Sequence, residues 1–171
     1  MYAAPMETVL VRHGIAVDRA DPAYPNDVDR PLTIDGKHKA EAAVRGLRAL
    51  VGRPELVLTS PYLRCQQTAR VVLEAFGLPK QALVATDALL PDAPPAAIWS
   101  DLALVPRERV VIVGHGGALE PIAGHALGDV RATALHLKKA GALCLTVTLE
   151  PVLAAQLEWL LTPKILRQLA R

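Results

Sequence analysis

Aromatic residues make up only 4% of this 171-residue chain, which leaves few rings on which nucleic-acid bases would stack. Its 19 basic and 17 acidic side chains are scattered, so the net charge of +2 forms no long basic stretch that would track a phosphate backbone. Nucleic acid is therefore not an expected partner. Two cysteines, Cys65 and Cys144, lie far apart in no CxxC or Cys/His cluster. They signal neither a zinc knuckle nor a disulfide framework, and read as two buried thiols. No uninterrupted apolar stretch is long enough to span a bilayer, and Met1 to Glu7 lacks a basic segment followed by an apolar run. The expectation is a cytoplasmic protein with no membrane partner; the sequence leaves open whether Met1 or Met6 is the physiological start.

What is present is a hydrophobic fraction of 51%, enough for a sizeable core in one domain covering residues 1–171. Thr8 to Val11 is a short apolar run that stops at a charged pair and Gly14, as a buried central strand feeding a loop does. Ile15 to Leu32 carries four aspartates and three prolines and reads as a surface loop beside that strand end. Ala40, Ala43, Val44, Leu47, Leu50 and Val51 recur at helical spacing, with Thr33 as N-cap and Gly52 as stop. Leu56 to Leu58 is a second strand, after which Ser60 caps and Pro61 opens a helix to about Phe76. Leu83 to Ala85 is a weak strand, Pro94 to Val105 a helix and Val110 to Val113 a strong buried strand. A helix follows from about Leu119 to Leu127. Ala142 to Leu149 and Ala154 to Leu160 read as a hairpin turning near Glu150 and Pro151, and Lys164 to Leu169 as a helical tail that docks on the domain. Strand and helix in alternation predict a three-layer α/β/α sandwich with a mostly parallel sheet and an antiparallel edge from the late strands.

Three segments share one placement: VLVRHG (Val9 to Gly14), TSPYLRCQQTAR (Thr59 to Arg70) and VVIVGHGG (Val110 to Gly117). Each sets an Arg or a His where a strand stops or a helix starts, the place where open α/β sheets assemble sites for anions. A phosphoryl group in transfer spreads negative charge over its equatorial oxygens, so its catalysis depends on positioned cations and donors. Arg12 at a strand end and Arg64 in a first helical turn supply planar, permanently charged forks. His13 is placed to attack phosphorus, and Gly14 is expected to remove bulk where the substrate approaches. His115, between Gly114 and Gly116, is placed to donate to a phosphate oxygen. Taken alone, an RHG triplet is most often an exposed Arg beside a structural His; the two further motifs in the same context overturn that reading. His38, His125 and His136 stand at no metal-ligand spacing, so no metal and no organic cofactor are expected. Trp99 and Trp159 read as packing residues, and Glu120 as either a first-turn charge or a group bonded into the site.

These residues carry a resemblance. Arg12, His13 and Gly14 match the RHG signature of the histidine phosphatase superfamily, also called the phosphoglycerate mutase-like family. Ser60, Pro61 and Arg64 match its second arginine motif, and Gly114, His115 and Gly116 its second histidine motif. Asp29 to Gly36, DRPLTIDG, and the short length look most like the SixA-type phosphohistidine phosphatases. The resemblance runs from Glu7 to the hairpin near Trp159. It implies that His13 is transiently phosphorylated, that Arg12, Arg64 and His115 with Gly14 and Gly116 bind the phosphate, and that water then releases inorganic phosphate. Mutase and sugar-phosphatase branches usually carry a Glu as general acid after the third strand, where this chain reads TDALLPDAPP. Asp87, Asp92 and, in the first loop, Asp18 are the candidates for that role.

An acid matters most when the leaving group is an alkoxide, and less for imidazole, whose pKa is about 6.5. The favoured partner is therefore a protein carrying phosphohistidine. A small phosphomonoester on the same residues is the enzymatic alternative, and a non-catalytic phosphate-recognition module the alternative from another class.

Overall fold

The computed structural model describes residues 4–105, 107–128 and 134–170. A six-stranded sheet runs through it: β1 (Met6–Arg12), β2 (Leu56–Thr59), β3 (Leu83–Ala85), β4 (Arg109–Gly114), β5 (Ala142–Thr148) and β6 (Ala154–Leu161), in the order β3-β2-β4-β1-β5-β6. The first four strands are parallel, and β5 and β6 add an antiparallel edge beside β1. The helices are α1 (Ile34–Leu47), α2 (Leu63–Phe76), α3 (Ala97–Ala103), α4 (Gly116–Ala126) and α5 (Pro163–Leu169).

Successive side chains of a strand face opposite ways, and the two central strands are apolar on both faces. Val9, Val11, Val111 and Val113 pack with α1, α2 and α5, whereas Leu10, Val110 and Ile112 pack with α3 and α4. All seven are 2% exposed or less, and burying each stabilises the sheet by about 1.5–3 kcal/mol. The tail docks as expected: Leu166 of α5 is buried in the first of these layers. Gly46 of α1 permits the contact, because a Cβ there would collide with the Leu166 carbonyl. Gly46→Val is expected to displace α5 and lower stability by about 2 kcal/mol, checked by the denaturant midpoint.

Several boundaries differ from the sequence reading. Tyr62, not Ser60, is the N-cap of α2, so Ser60 and Pro61 form a turn ahead of the helix. α4 starts at Gly116 rather than Leu119, because the strand end delivers the chain directly into helical geometry despite two glycines of low helix propensity. α3 is shorter than Pro94 to Val105. α1 ends at Leu47 in a turn, ahead of Gly52. The loop between β1 and α1 contains a short 3-10 turn at Asp27–Asp29. Of the two candidate starts, Met1 lies outside the described residues and Met6 is a buried first residue of β1. No helix among the described residues is long and apolar enough to cross a membrane.

Candidate active site

Register decides what meets at the carboxyl edge of the sheet. Arg12 of β1 lies opposite Gly114 of β4, and Thr59 of β2 lies opposite Val113. The ladder continues one residue further, with the His13 N–H donating to the Gly114 carbonyl (2.9 Å) and the Ser60 N–H to the Val113 carbonyl (3.1 Å). The first residues past three strands, His13, Ser60 and His115, therefore emerge side by side. The rings of His13 and His115 lie 5.4 Å apart, edge to face. Arg64, one residue into α2, reaches between them.

The hydrogen bonds settle both tautomers. His13 Nδ1 lies 2.7 Å from the Gly14 carbonyl, which only accepts, so Nδ1 carries the proton. Nε2 then holds the lone pair and accepts from Arg64 Nε at 3.3 Å. Arg64 Nη2 lies 3.3 Å from His115 Nδ1, and since a guanidinium only donates, that nitrogen accepts. His115 Nε2–H therefore donates to Ser60 Oγ at 2.9 Å. Cys65 Sγ sits behind the same ring, 3.6 Å from Nε2. Cys65 and Cys144 are both free and buried, and burial pushes both thiols up to about 12.

Burial and the neighbouring Arg64 charge push His13 down to about 3 and His115 to about 4, from an ordinary 6.5. Both imidazoles are thus neutral at physiological pH. Unfolded chains take up protons at these positions below about pH 6.5 while the folded state does not until pH 4 and below. The stability these residues contribute is therefore fully present above pH 6.5 and lost as pH falls towards 4. Lowering the pH from 7.5 to 4.5 is expected to reduce Tm by about 5 °C or more, and a His13→Asn, His115→Asn double variant should show a smaller drop in calorimetry.

Arg12 lies against α4. Its Nη1 donates to the Leu137 carbonyl (2.8 Å), while its buried Nε has no protein partner. Gly116 makes the approach feasible, because a Cβ there would stand 2.9 Å from the guanidinium carbon. Glu120 holds the same residue from its other side, accepting the Leu137 N–H at 2.7 Å. It thereby acts on Arg12 through the backbone rather than in the cleft. Gly14 also has a packing use: a Cβ there would press on Gly36 and Ala40 of α1 and on Leu32, so its small size lets the helix close over the strand end. Its N–H donates to Thr68 Oγ1 (3.1 Å), which itself donates to the Arg64 carbonyl (2.8 Å), tying the two motifs together.

A cleft of about 290 Å³ opens over these groups, and Arg19, Arg30 and Lys139 add three cations to its lining. Asp27 is the one carboxylate in that lining among the described residues, and the sequence reading gave it no role. Arg30 bonds its Oδ1 at 2.8 Å through Nε, Arg64 its Oδ2 at 3.1 Å and its carbonyl at 2.7 Å, and Arg19 approaches Oδ2 at 3.3 Å. Burial works to raise this carboxyl, but the hydrogen bonds and charges of Arg30 and Arg64 outweigh it and hold the group below its ordinary value. Nothing in the loop's sequence distinguished Asp27 from its neighbours; only the fold brings it to Arg64. Tyr62 was also missed, and its ring packs edge-on against His115 and under the Arg64 guanidinium.

Asp18, Asp87 and Asp92 are exposed and do not line the cleft; Asp18 instead accepts the Ala20 N–H within its own turn. His136 approaches Glu120 at 3.7 Å, and Trp99 donates to the Ile122 carbonyl in the core. Among the described residues, no group of three or more His, Cys, Asp or Glu is arranged to hold a metal ion.

Comparison with known proteins bears on most of the chain. The sequence model of the histidine phosphatase superfamily (branch 1) matches residues 8–87. The phosphohistidine phosphatase SixA of Escherichia coli is 31% identical over 121 residues, which cover 70% of this chain and 67% of that protein. An uncharacterized protein of Picosynechococcus is 37% identical over 147 residues, covering 80% of this chain and 82% of that one. The solved structure of the protein histidine phosphatase SixA complexed with tungstate superposes with a TM-score of 0.81 at 24% identity, covering 94% of this chain and 99% of the other, a likeness of fold. Carried on the fold and sequence alike, the similarity makes the chain a SixA-like member of the histidine phosphatase superfamily.

Proposed function

We propose that this phosphatase removes the phosphoryl group from phosphohistidine on a protein, through a covalent intermediate on His13. The observation that carries the reading is the His13 tautomer: with the proton held at Nδ1 by the Gly14 carbonyl, the Nε2 lone pair faces Arg64 in the cationic cleft. In this reading Nε2 attacks phosphorus in line and a new N–P bond forms. The substrate's own N–P bond breaks, and its electron pair leaves with the imidazole. Arg12 and Arg64 hold the equatorial oxygens, where the paired donors of a guanidinium match the geometry. The arriving dianion raises the proton affinity of His115, which then donates from Nδ1 to a phosphate oxygen. Water attacks the phosphoenzyme, the pair returns to Nε2 of His13, and inorganic phosphate leaves.

Phosphohistidine is favoured over a phosphomonoester by the state of the cleft's acid. Arg30 and Arg64 hold the Asp27 carboxyl below its ordinary value, so it is poorly suited to give a proton to an alkoxide. The segment after β3 brings Pro91 to the cleft but no carboxylate. A leaving imidazole protonated on its other nitrogen departs neutral and needs no such donor. Incubation with a phosphohistidine protein and a panel of sugar phosphates tests this. Phosphate release is expected to be faster from phosphohistidine; a strong preference for the sugar phosphates would overturn the assignment.

A further inference from the structure

A second cleft, of about 440 Å³, adjoins the first and shares Arg12 and Lys139 with it. Its other polar walls are Lys39 of α1, His136 and Lys138 of the segment before β5, and Arg167 of α5, with Ile15, Ala140 and Pro163 as its apolar lining. No carboxylate lines it among the described residues. Lys39 pairs with Asp35 at 2.6 Å and His136 lies near Glu120, whereas Lys138, Lys139 and Arg167 have no carboxylate at salt-bridge distance among the described residues. Cations gathered from three separate parts of the chain, with so little compensation, repel one another unless something anionic occupies the groove.

The lysine turn is anchored to the site itself. The Ala140 N–H is shared between the carbonyls of Arg12 and His13 at 3.1 Å each, and the Arg12 N–H donates to the Gly141 carbonyl at 3.1 Å. Ala140 is held at φ 59°, a left-handed conformation that a residue with a Cβ adopts only at a cost. This backbone fixes Lys138 and Lys139 relative to the phosphate site. A single phosphate would call for donors converging on one point. Here the charges come from separate elements around an apolar lining, and mainly from lysines, compact point charges on flexible stems.

We infer that this groove docks the acidic surface beside the phosphohistidine of a partner protein, placing carboxylates along Lys138, Lys139 and Arg167 as the phosphoryl group enters between Arg12 and Arg64. The inference rests on the phosphohistidine reading above and adds to it the chemistry of the partner's surface. Rim charges of this kind act on encounter and on salt dependence more than on the chemical step.

The test uses two synthetic phosphohistidine peptides of equal length, one flanked by four glutamates and one by four lysines, with phosphoramidate as a small substrate. At low ionic strength the acidic peptide is expected to have a KM about tenfold lower at similar kcat, and the gap should shrink with added salt. A Lys138→Glu, Arg167→Glu double variant should abolish the gap and leave phosphoramidate turnover unchanged. The neutral Lys138→Gln, Arg167→Gln pair should narrow it, which guards against misfolding in the charge-reversed protein. Equal KM values for the two peptides, or a gap that survives charge reversal, would overturn the inference. Fluorescence anisotropy with the unphosphorylated peptides reads the groove without turnover. If neither phosphopeptide is hydrolysed, the substrate reading fails, whereas the groove stands or falls on whether the acidic peptide binds more tightly than the basic one and loses that advantage in the variant. Tighter binding of single-stranded DNA of the same charge would assign the groove to nucleic acid and overturn it.

Discussion

Alanine in place of His13 is expected to cut phosphate release from a phosphohistidine peptide by about 10⁴-fold or more, the scale on which removing a nucleophile acts. In the proposed mechanism the side chain supplies the lone pair for the first bond made, and no neighbour is placed to replace it. His115 Nδ1 is turned to Arg64, and its Nε2 proton is committed to Ser60. The Cys65 thiol, pushed up to about 12 by burial, offers almost no thiolate. Structure should survive the change, since the strand pairing at this residue runs through its backbone N–H to Gly114. Circular dichroism and a phosphate-release assay on the same preparation check both halves. A folded variant retaining activity within tenfold of the parent would remove His13 from the mechanism.

Arg64→Ala is expected to lower kcat by about 10³-fold, the upper end of what one preorganised donor contributes to a transition state. Arg64 is 3% exposed, and its three nitrogens touch His13, His115 and Asp27, so it orders the two imidazoles and, in the proposed mechanism, also meets the phosphate. Arg64→Lys should recover little, because an ammonium is one point charge and lacks the planar fork that spans two rings and two oxygens. The loss should fall on kcat more than on KM, since charge that develops only in the transition state is what the fork meets. Full recovery by lysine would reduce Arg64 to a general attractive charge.

How much of this was legible before the fold differs by residue, and the reason is range. Arg12, His13 and His115 sit at the ends of strands whose apolar runs are unmistakable in sequence, and strand register alone then sets them side by side. Arg64 was legible because a strand followed by a turn and an apolar-periodic segment fixes where the next helix begins, although its cap is Tyr62 and not Ser60. Asp27 was not legible. Its loop has no periodicity, and its partners Arg19, Arg30 and Arg64 come together only when the loop folds back through the Ala16–Leu32 bridge. The roles of Gly14 and Glu120 were equally hidden, for each depends on a contact with a distant segment: α1 for the glycine, the Leu137 peptide for the glutamate. The basic groove escaped a reading of composition because its cations are dispersed in sequence and balanced by acids elsewhere; only the packing of α5 against α1 gathers Lys39 and Arg167 near the lysine turn.

The central claim, that His13 takes the phosphoryl group on the nitrogen facing Arg64, is tested most directly by trapping the phosphoenzyme. Phosphorus NMR and mass spectrometry after rapid mixing with a phosphohistidine peptide should find one phosphoryl group, on Nε2 of His13. Phosphate on Nδ1 of that ring, on His115 or on no residue at all during turnover would contradict the account.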